Sequence, residues 1–557
     1  MSTIADIELN VRSYRSALKS TLQVSINSLQ NAHLKMDSIL HPYGNNPRQI
    51  DTSALIYSLL RLPRDIDRTQ NIVIGQTPEV FAQFGFPKIT SWPTVSARAR
   101  RRITHFNLRL KTLAFFASSI SDIDDLTNTL IAFQSEWNKF HSLLKYYYPH
   151  RSHFKKELNS DKFVKILNLT SSDWEALKVA LGLRWHLRLS RLYRHPLNLR
   201  LQLLAGSWID YTKATQRWWK NIAKTVSPAF HISRQRLYFV SSNTHSLLNL
   251  YSGFVLKHQK TILADLKINH PDLYLTYQKI QAKELFLHPN DFLYYAARNF
   301  LSSPKIKKEF ADFQQKLGII TVPANHYFDT NVQIFPLKNL LSSRYRDPRL
   351  KITHPAKIKA SEVLIFNIDY PLGFAAYHAL SQTLQNVREV KGVYILGKAA
   401  VLNSELGDLE IPRAVFDEHT QNTYMFKNCF NTFFPFQNSQ GSILTNQKSV
   451  SVLGTFLENQ ALINTYSKNN FTIVEMETGP YLNAVTESTY DQQTPRNTII
   501  DLNSAPFDLG IINYTSDTPY SKAKNLAAGS LELRGLEPVY LGSLAILQRI
   551  INLEESI

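Results

Sequence analysis

The chain has 557 residues and a mass of 64.0 kDa, with 44% hydrophobic and 19% charged side chains, one cysteine and a formal charge of +19. A chain this long is expected to hold about two to four domains, and its balance of apolar and charged residues excludes both a disordered and a membrane-embedded protein. Cys429 alone excludes an internal disulfide and a cysteine-built zinc site, and it fits a reducing compartment.

The start, Met1 to Glu8, carries two acids and no apolar signal core. The nearest long apolar run, Leu113 to Ile120, is too short for the roughly 18–20 residues that span a bilayer, so a soluble, cytoplasmic protein is expected. Val11, Tyr14, Leu18, Leu22, Leu29, Met36 and Leu40 recur at mostly three- to four-residue steps. That spacing predicts a helix over 9–40, ended by Pro42-Tyr43-Gly44. A second helical pattern covers about 122–148. A third starts at Ser171, with Ser172 placed to cap it and Glu175 three residues on, and runs toward Arg194. Further helices are predicted at 197–225, 242–268 and 273–287. Residues 1–345 are thus expected to form a mainly α-helical basic region, with a subdivision near 149–172.

The charge is unevenly spread. Residues 1–350 carry 48 basic and 24 acidic side chains, a balance of +24, and residues 351–557 carry 15 and 20, a balance of −5. Two basic stretches stand out. Arg98-Ala99-Arg100-Arg101-Arg102 is compact, and 184–236 interleaves Arg188, Arg191, Arg194, Arg217 and Lys220 with Trp185, Tyr193, Trp208, Trp218 and Trp219. Cations mixed with aromatics can hold nucleic acid by charge and stacking. No RNA-binding signature accompanies them, which favours a solvated basic face over an aromatic core.

A polar, proline-containing linker is expected at 346–360, and beyond it the pattern changes. Short apolar runs at 363–368, 392–397, 409–416, 450–454, 471–474 and 509–514, with a helix at about 373–384, predict an α/β domain over 361–557 built on a mixed central sheet flanked by helices. Ligands in such folds sit at strand ends. Three segments lie there: Gly397-Lys398-Ala399-Ala400 followed by Gly407-Asp408 and Ile411-Pro412; Val474-Glu475-Met476-Glu477-Thr478; and Thr515-Ser516-Asp517-Thr518-Pro519.

In this order the segments resemble the nucleoside phosphorylase and nucleosidase superfamily over about residues 360–555, and Ser516-Asp517-Thr518-Pro519 is similar to the version in AMP nucleosidases. The resemblance implies a phosphorylase-like fold with Gly397 and Lys398 at a turn beside the ligand. It implies Met476 and Glu477, preceded by Glu475, at the sugar, and Ser516-Asp517 as the acid motif. It also implies Phe456 and Leu457, in Gly454 to Glu458, packed on the base. The expected ligand is a purine nucleoside or nucleotide, with no cofactor beyond inorganic phosphate as a co-substrate, no metal, and a homo-oligomeric assembly. Separately, Leu55 to Asp67, with Arg61-Leu62-Pro63, and Arg100-Arg101-Arg102 resemble an uncharacterised bacterial family that joins a helical half to a phosphorylase-like half.

The chemistry can be stated from the residues. Cleaving an N-glycosidic bond builds positive charge on the sugar and negative charge on the departing base. Glu477, bonded to ribose hydroxyls, suits the first, and Asp517, donating a proton, suits the second once burial raises its pKa. The glycine-rich phosphate loop of the superfamily corresponds to Asp369-Tyr370-Pro371-Leu372-Gly373, where an acid, a proline and bulky side chains hinder close approach of an anion. A nucleosidase using water is therefore favoured over a phosphorylase. The alternatives are a nucleotide-binding protein without turnover and a nucleic-acid-binding protein led by 184–236.

Overall fold

Two sheets organise the computed structural model, which describes residues 4–20, 22–158, 160–432, 434–437, 441–490, 495–519, 533 and 535–557. The first has six strands: β1 (Val24–Ser25), β2 (Asn71–Gly75), β3 (Thr94–Val95), β4 (Thr104–Asn107), β5 (Thr112–Phe116) and β6 (Arg200–Leu203), in the order β1-β6-β2-β5-β4-β3. Its centre, β6-β2-β5, is parallel, and Ile72, Ile74, Leu113, Phe115 and Leu201 are buried in one core.

The helix Ile120–Tyr147 runs through that core and is buried on every face from Ser121 to Trp137. A helix enclosed all round is normally apolar. This one carries acids and amides, and most find partners, as burial requires. Asp124 accepts from Tyr14 at 2.7 Å and Arg15 at 2.5 Å; Asn128 accepts from Asn10 at 3.0 Å; Glu136 accepts from the Asp51 N–H at 2.6 Å and meets His41 at 2.9 Å. Asp122 and Asp125 are held by Arg102, and Asp125 also by Arg100.

The second sheet contains β7 (Arg236–Ser241), β8 (Ile320–Val322), β9 (Val332–Pro336), β10 (Leu364–Ile368), β11 (Glu389–Val401), β12 (Leu409–Asp417), β13 (Asn422–Met425), β14 (Ile443–Ser451), β15 (Ile473–Glu475), β16 (Ile499–Asp501) and β17 (Asp508–Asp517). Strands β10, β7, β11 and β17 lie side by side in parallel. The pairings β11–β15–β14–β12–β17–β11 then close a ring of five strands. The 13-residue β11 is long enough to serve both the open sheet and the ring.

Several expectations are corrected. Residues 1–345 are not simply helical: they hold the six-stranded sheet and also β7, β8 and β9 of the second one. The division at 346–360 therefore cuts through a sheet, since β7 is hydrogen-bonded between β10 and β11. The segment itself is built in: Arg349 grips Asp291 and Asp347, and the Lys351 and His354 N–H groups donate to Gln548 and Glu555 of the C-terminal helix Leu536–Ser556. Nor is 149–172 a break, because Tyr148, Phe154, Phe163, Leu167 and Trp174 share one core.

The run at Leu113–Phe116 is β5, and the helix expected over 9–40 is two helices, Ile4–Ser20 and Ile26–Lys35, with β1 between them and Leu22 exposed. Residues 171–194 likewise split at Gly182, whose φ of 88° ends the first helix. Thr170 rather than Ser172 caps that helix, accepting from the Asp173 N–H at 3.0 Å. In 184–236, Tyr193, Trp218 and Trp219 are buried, and Arg188 and Arg191 bind Asp67, so these aromatics are not free to stack on bases. Among the described residues no helix is long and apolar enough to cross a membrane.

Candidate active site

β11 and β17 run on past the ends of β7 and β10, and a cavity of about 460 Å³ opens where they finish beside β15. Three adjacent strands of the ring supply its floor: Lys398, Ala399 and Ala400 from β11, Val474 and Glu475 from β15, and Ser516 and Asp517 from β17. Their register explains how they converge. Ala399 pairs with Thr515 but Ala400 with Asp517, so Ser516 is an extra residue, a bulge. A bulge bends its strand and re-aims side chains. Here the Ser516 hydroxyl turns back to donate to the Ala399 carbonyl at 3.1 Å, and both Ser516 and Asp517 reach the cavity. Lys398 Nζ lies 3.9 Å from Asp517 Oδ2.

Met476 and Glu477 follow β15 and line the same cavity. Glu477 accepts from the Gly373 N–H at 3.2 Å. Burial, with the Glu475 carboxylate nearby, pushes its carboxyl group up to about 7. Gly373 itself is fixed from the first half of the chain. Its φ is +51°, an added Cβ would stand 2.4 Å from Ser121 Oγ, and the next N–H, of Phe374, donates to that hydroxyl at 2.8 Å.

Of the residues expected at the ligand, Lys398, Met476, Glu477, Ser516 and Asp517 meet in this cavity. Glu475 also reaches its wall, but its carboxylate is spent on the protein: Oε1 accepts from Ser449 at 3.3 Å and from Ser451, and Oε2 from the Glu477 and Thr478 N–H groups at 2.7 Å each. It caps the helix Thr478–Tyr490 and fixes the Met476-Glu477 turn. Gly397 lies within β11, not in a turn, and lines no part of the cavity. Phe456 and Leu457 are buried elsewhere; Phe456 packs edge-on against Tyr57 at 5.2 Å and His33 at 5.9 Å, and Thr455 and Val452 take its expected place. The aromatic ring that looked free for a base is claimed by the N-terminal core.

The opposite wall could not be foreseen from the C-terminal motifs. Arg61, at the end of the helix Thr52–Arg61, and Arg98, Arg100 and Arg101 from the loop before β4 line the cavity beside Asp329, Tyr370 and Leu372. The signal was present in the compact basic run Arg98 to Arg102, but nothing local says which strands it faces. Arg101 pairs with Asp369, so the acid that seemed to repel anions is neutralised. Arg100 binds Asp125 at 2.8 Å and helps Arg102 hold its carboxyl down at about 2.

A second cavity, about 580 Å³ and mainly apolar, shares Lys398 and Ser516 with the first, and its wall includes His245, Tyr294, Arg298, Phe310, Tyr514 and Tyr540. Burial and the charge of Arg298 push His245 down to about 4, so its imidazole is neutral at ordinary pH.

The sequence model of a family of unknown function, DUF6909, matches residues 26–552. The chain belongs to the DUF6909 family. The match spans every strand of both sheets except β1 and every cavity-lining residue named above, so both walls of the cavity are part of the DUF6909 unit. No curated protein matches the chain. Among solved structures, a 5'-methylthioadenosine/S-adenosylhomocysteine nucleosidase from S. pneumoniae is 12% identical, covering 43% of this chain and 95% of its own, with a TM-score of 0.27. An S-adenosylhomocysteine nucleosidase from Streptococcus pyogenes is 8% identical over 58% and 99%, with a TM-score of 0.26. Uridine phosphorylase from Schistosoma mansoni is 11% identical over 45% and 83%, with a TM-score of 0.28. Similarity at this level fixes neither the fold nor the activity of this DUF6909 chain.

Proposed function

We propose that this DUF6909 protein cleaves the N-glycosidic bond of a purine nucleoside or nucleotide, with water as the nucleophile. The observation that carries the reading is the meeting on one cavity of Met476 and Glu477, just after β15, with Ser516 and Asp517, at the end of β17. In the ionised form Glu477 accepts from the ribose hydroxyls and stabilises positive charge on the sugar as the C–N bond breaks. Asp517 gives its proton to the departing base, water bonds to the anomeric carbon, and the proton that water loses restores the acid. Leu372, Val452 and Val474 offer an apolar wall for the flat base in place of Phe456. The Ser516 bulge holds Asp517 at the end of β17, and the Gly373 N–H holds Glu477.

The test is release of free base from adenosine, inosine, guanosine and their 5'-monophosphates, with and without phosphate, by the full chain. Release that needs no phosphate supports the proposal. Absence of release from every one of them at high protein concentration counts against it, and binding without release would select a sensor instead.

A further inference from the structure

The arginines facing Glu477 and Asp517 are not fully paired. Arg61, Arg100 and Arg102 form one cluster, and the carboxylates in ion pairs with it are Asp122 and Asp125, while Asp517 acts on Arg61 and Glu477 on Arg100 by charge across the cavity. Arg102 takes both carboxylates and Arg100 takes the second oxygen of Asp125. In direct ion pairs Arg100 and Arg102 thus take both carboxylates, and Arg61 rests on the face of Tyr57, 3.8 Å beneath it. Its Nε and Nη1, with Nε of Arg100, are buried and find no acceptor among the described residues. A fold does not bury forked donors and like charges side by side without compensation. Desolvation and the charge of Arg100 both weaken the ionised form of Arg61, as expected of a guanidinium without a bound anion. Both arginines line the cavity into which Asp517 points.

We propose that Arg61 and Arg100 form an oxyanion subsite for a phosphate group bound together with the nucleoside, so that the first half of the chain holds the phosphate and the C-terminal strands hold the sugar and base. Guanidinium forks match phosphate oxygens bidentately, whereas the single ammonium of a lysine does not. The inference rests on the nucleoside reading for the rest of the cavity, but not for the anion itself. The phosphate arrives in one of two ways, as an ester on the ligand or as the free ion.

Calorimetry on the full chain separates these cases with adenosine, adenosine 5'-monophosphate and inorganic phosphate as probes. Charge-assisted bonds of this kind correspond to about a 10- to 100-fold gain in affinity. That gain is expected either for the monophosphate over adenosine, which identifies an ester, or for adenosine on adding inorganic phosphate, which identifies the free ion. Arg61→Gln is expected to erase the gain, and Arg61→Lys to lose most of it. Adenosine binding with no gain from either phosphate source overturns the subsite and leaves the proposed function standing. A gain that survives in both variants also overturns it. Inorganic phosphate that binds the wild type but not Arg61→Gln, with no binding of adenosine, supports the subsite and overturns the proposed function. Should Arg61→Gln fail to fold, the wild-type comparison and Arg61→Lys still decide.

Discussion

Glu477 is where residue chemistry and pH meet. Its carboxyl is pushed up to about 7 by burial and Glu475, so its ionised form, the one the proposed reaction needs, accumulates only above that pH. Under the proposed reaction kcat/KM for base release rises between pH 5.5 and 8 with an apparent pKa near 7, as about one proton leaves this group. Glu477→Gln is expected to lower base release by about 100-fold or more and to abolish that limb, and Asp517→Asn to lower it by a similar factor. Stability moves the other way. A group whose folded pKa exceeds its unfolded value contributes stability that is complete below the unfolded pKa and is lost as pH rises through the folded one. For Glu477 that window runs from its ordinary 4.5 up to about 7, so Glu477→Gln is expected to melt higher than wild type at pH 8 and not at pH 4. Thermal denaturation at the two pH values checks it. The pairs Met476-Glu477 and Ser516-Asp517 were legible in the sequence because each is a short motif carried by its own strand end. Arg61 was not legible as a site residue, because a helix C-terminal arginine usually lies in solvent and only tertiary packing turns this one inward.

At the scale of elements, the buried helix Ile120–Tyr147 connects the two sheets to the site. Its Ser121 holds the Phe374 N–H, and the neighbouring Gly373 holds Glu477. Gly373→Ala would force a side chain into left-handed backbone and to within 2.4 Å of Ser121 Oγ. The expected result is a loss of ligand binding far larger than the loss of stability, measured by calorimetry beside thermal melts. One turn further along, Arg102→Met would strip Asp122 and Asp125 of their shared buried partner. That should cost about 3–5 kcal/mol in urea denaturation, because a carboxylate left buried and unpaired is worse than none. Elements differ in how plainly they could be read. The helix at 122–148 and the strands at 363–368, 409–416 and 509–514 follow their apolar period closely. β2 and β5 escaped detection because short apolar runs fit a strand or a buried helical turn equally well, and β6, Arg200 to Leu203, is a polar–apolar alternation too short to mark a strand. What settles them is pairing with strands up to about 130 residues away, β2 with β6 for example, which no local window contains.

The whole molecule is tied together across the boundary that composition suggested. The Ile39 N–H donates to the Glu458 carbonyl at 2.9 Å, Asn459 donates to the Met36 carbonyl at 2.7 Å, and Phe456 fills a core made by Leu40, Ala54, Tyr57 and Ala132. The charge contrast of +24 against −5 is real, yet it does not follow the sheets, because β7, β8 and β9 from the basic side join the second sheet. A fragment of residues 361–557 lacks β7, the strand between β10 and β11, and is therefore expected to show no cooperative melt by circular dichroism. A folded, soluble fragment would restore the division near 346–360.

The position of β7 also bears on how the chain leaves the ribosome. Its two partners begin at Leu364 and Glu389, and at about 5–20 residues per second the second emerges on the order of 10 s after Ser241. Through that delay the strand Arg236–Ser241 has an unpaired edge on each side, the exposure that invites intermolecular pairing. Its faces need not wait. Leu237 and Phe239 share a core with Trp218, Trp219 and Ile222 of the helix synthesised just before, and Tyr238 and Val240 share one with Leu247, Tyr251 and Phe292 of the helices synthesised just after. The nascent strand can be wrapped by its own neighbours in sequence, leaving only its backbone edges open until the C-terminal strands arrive to clasp them.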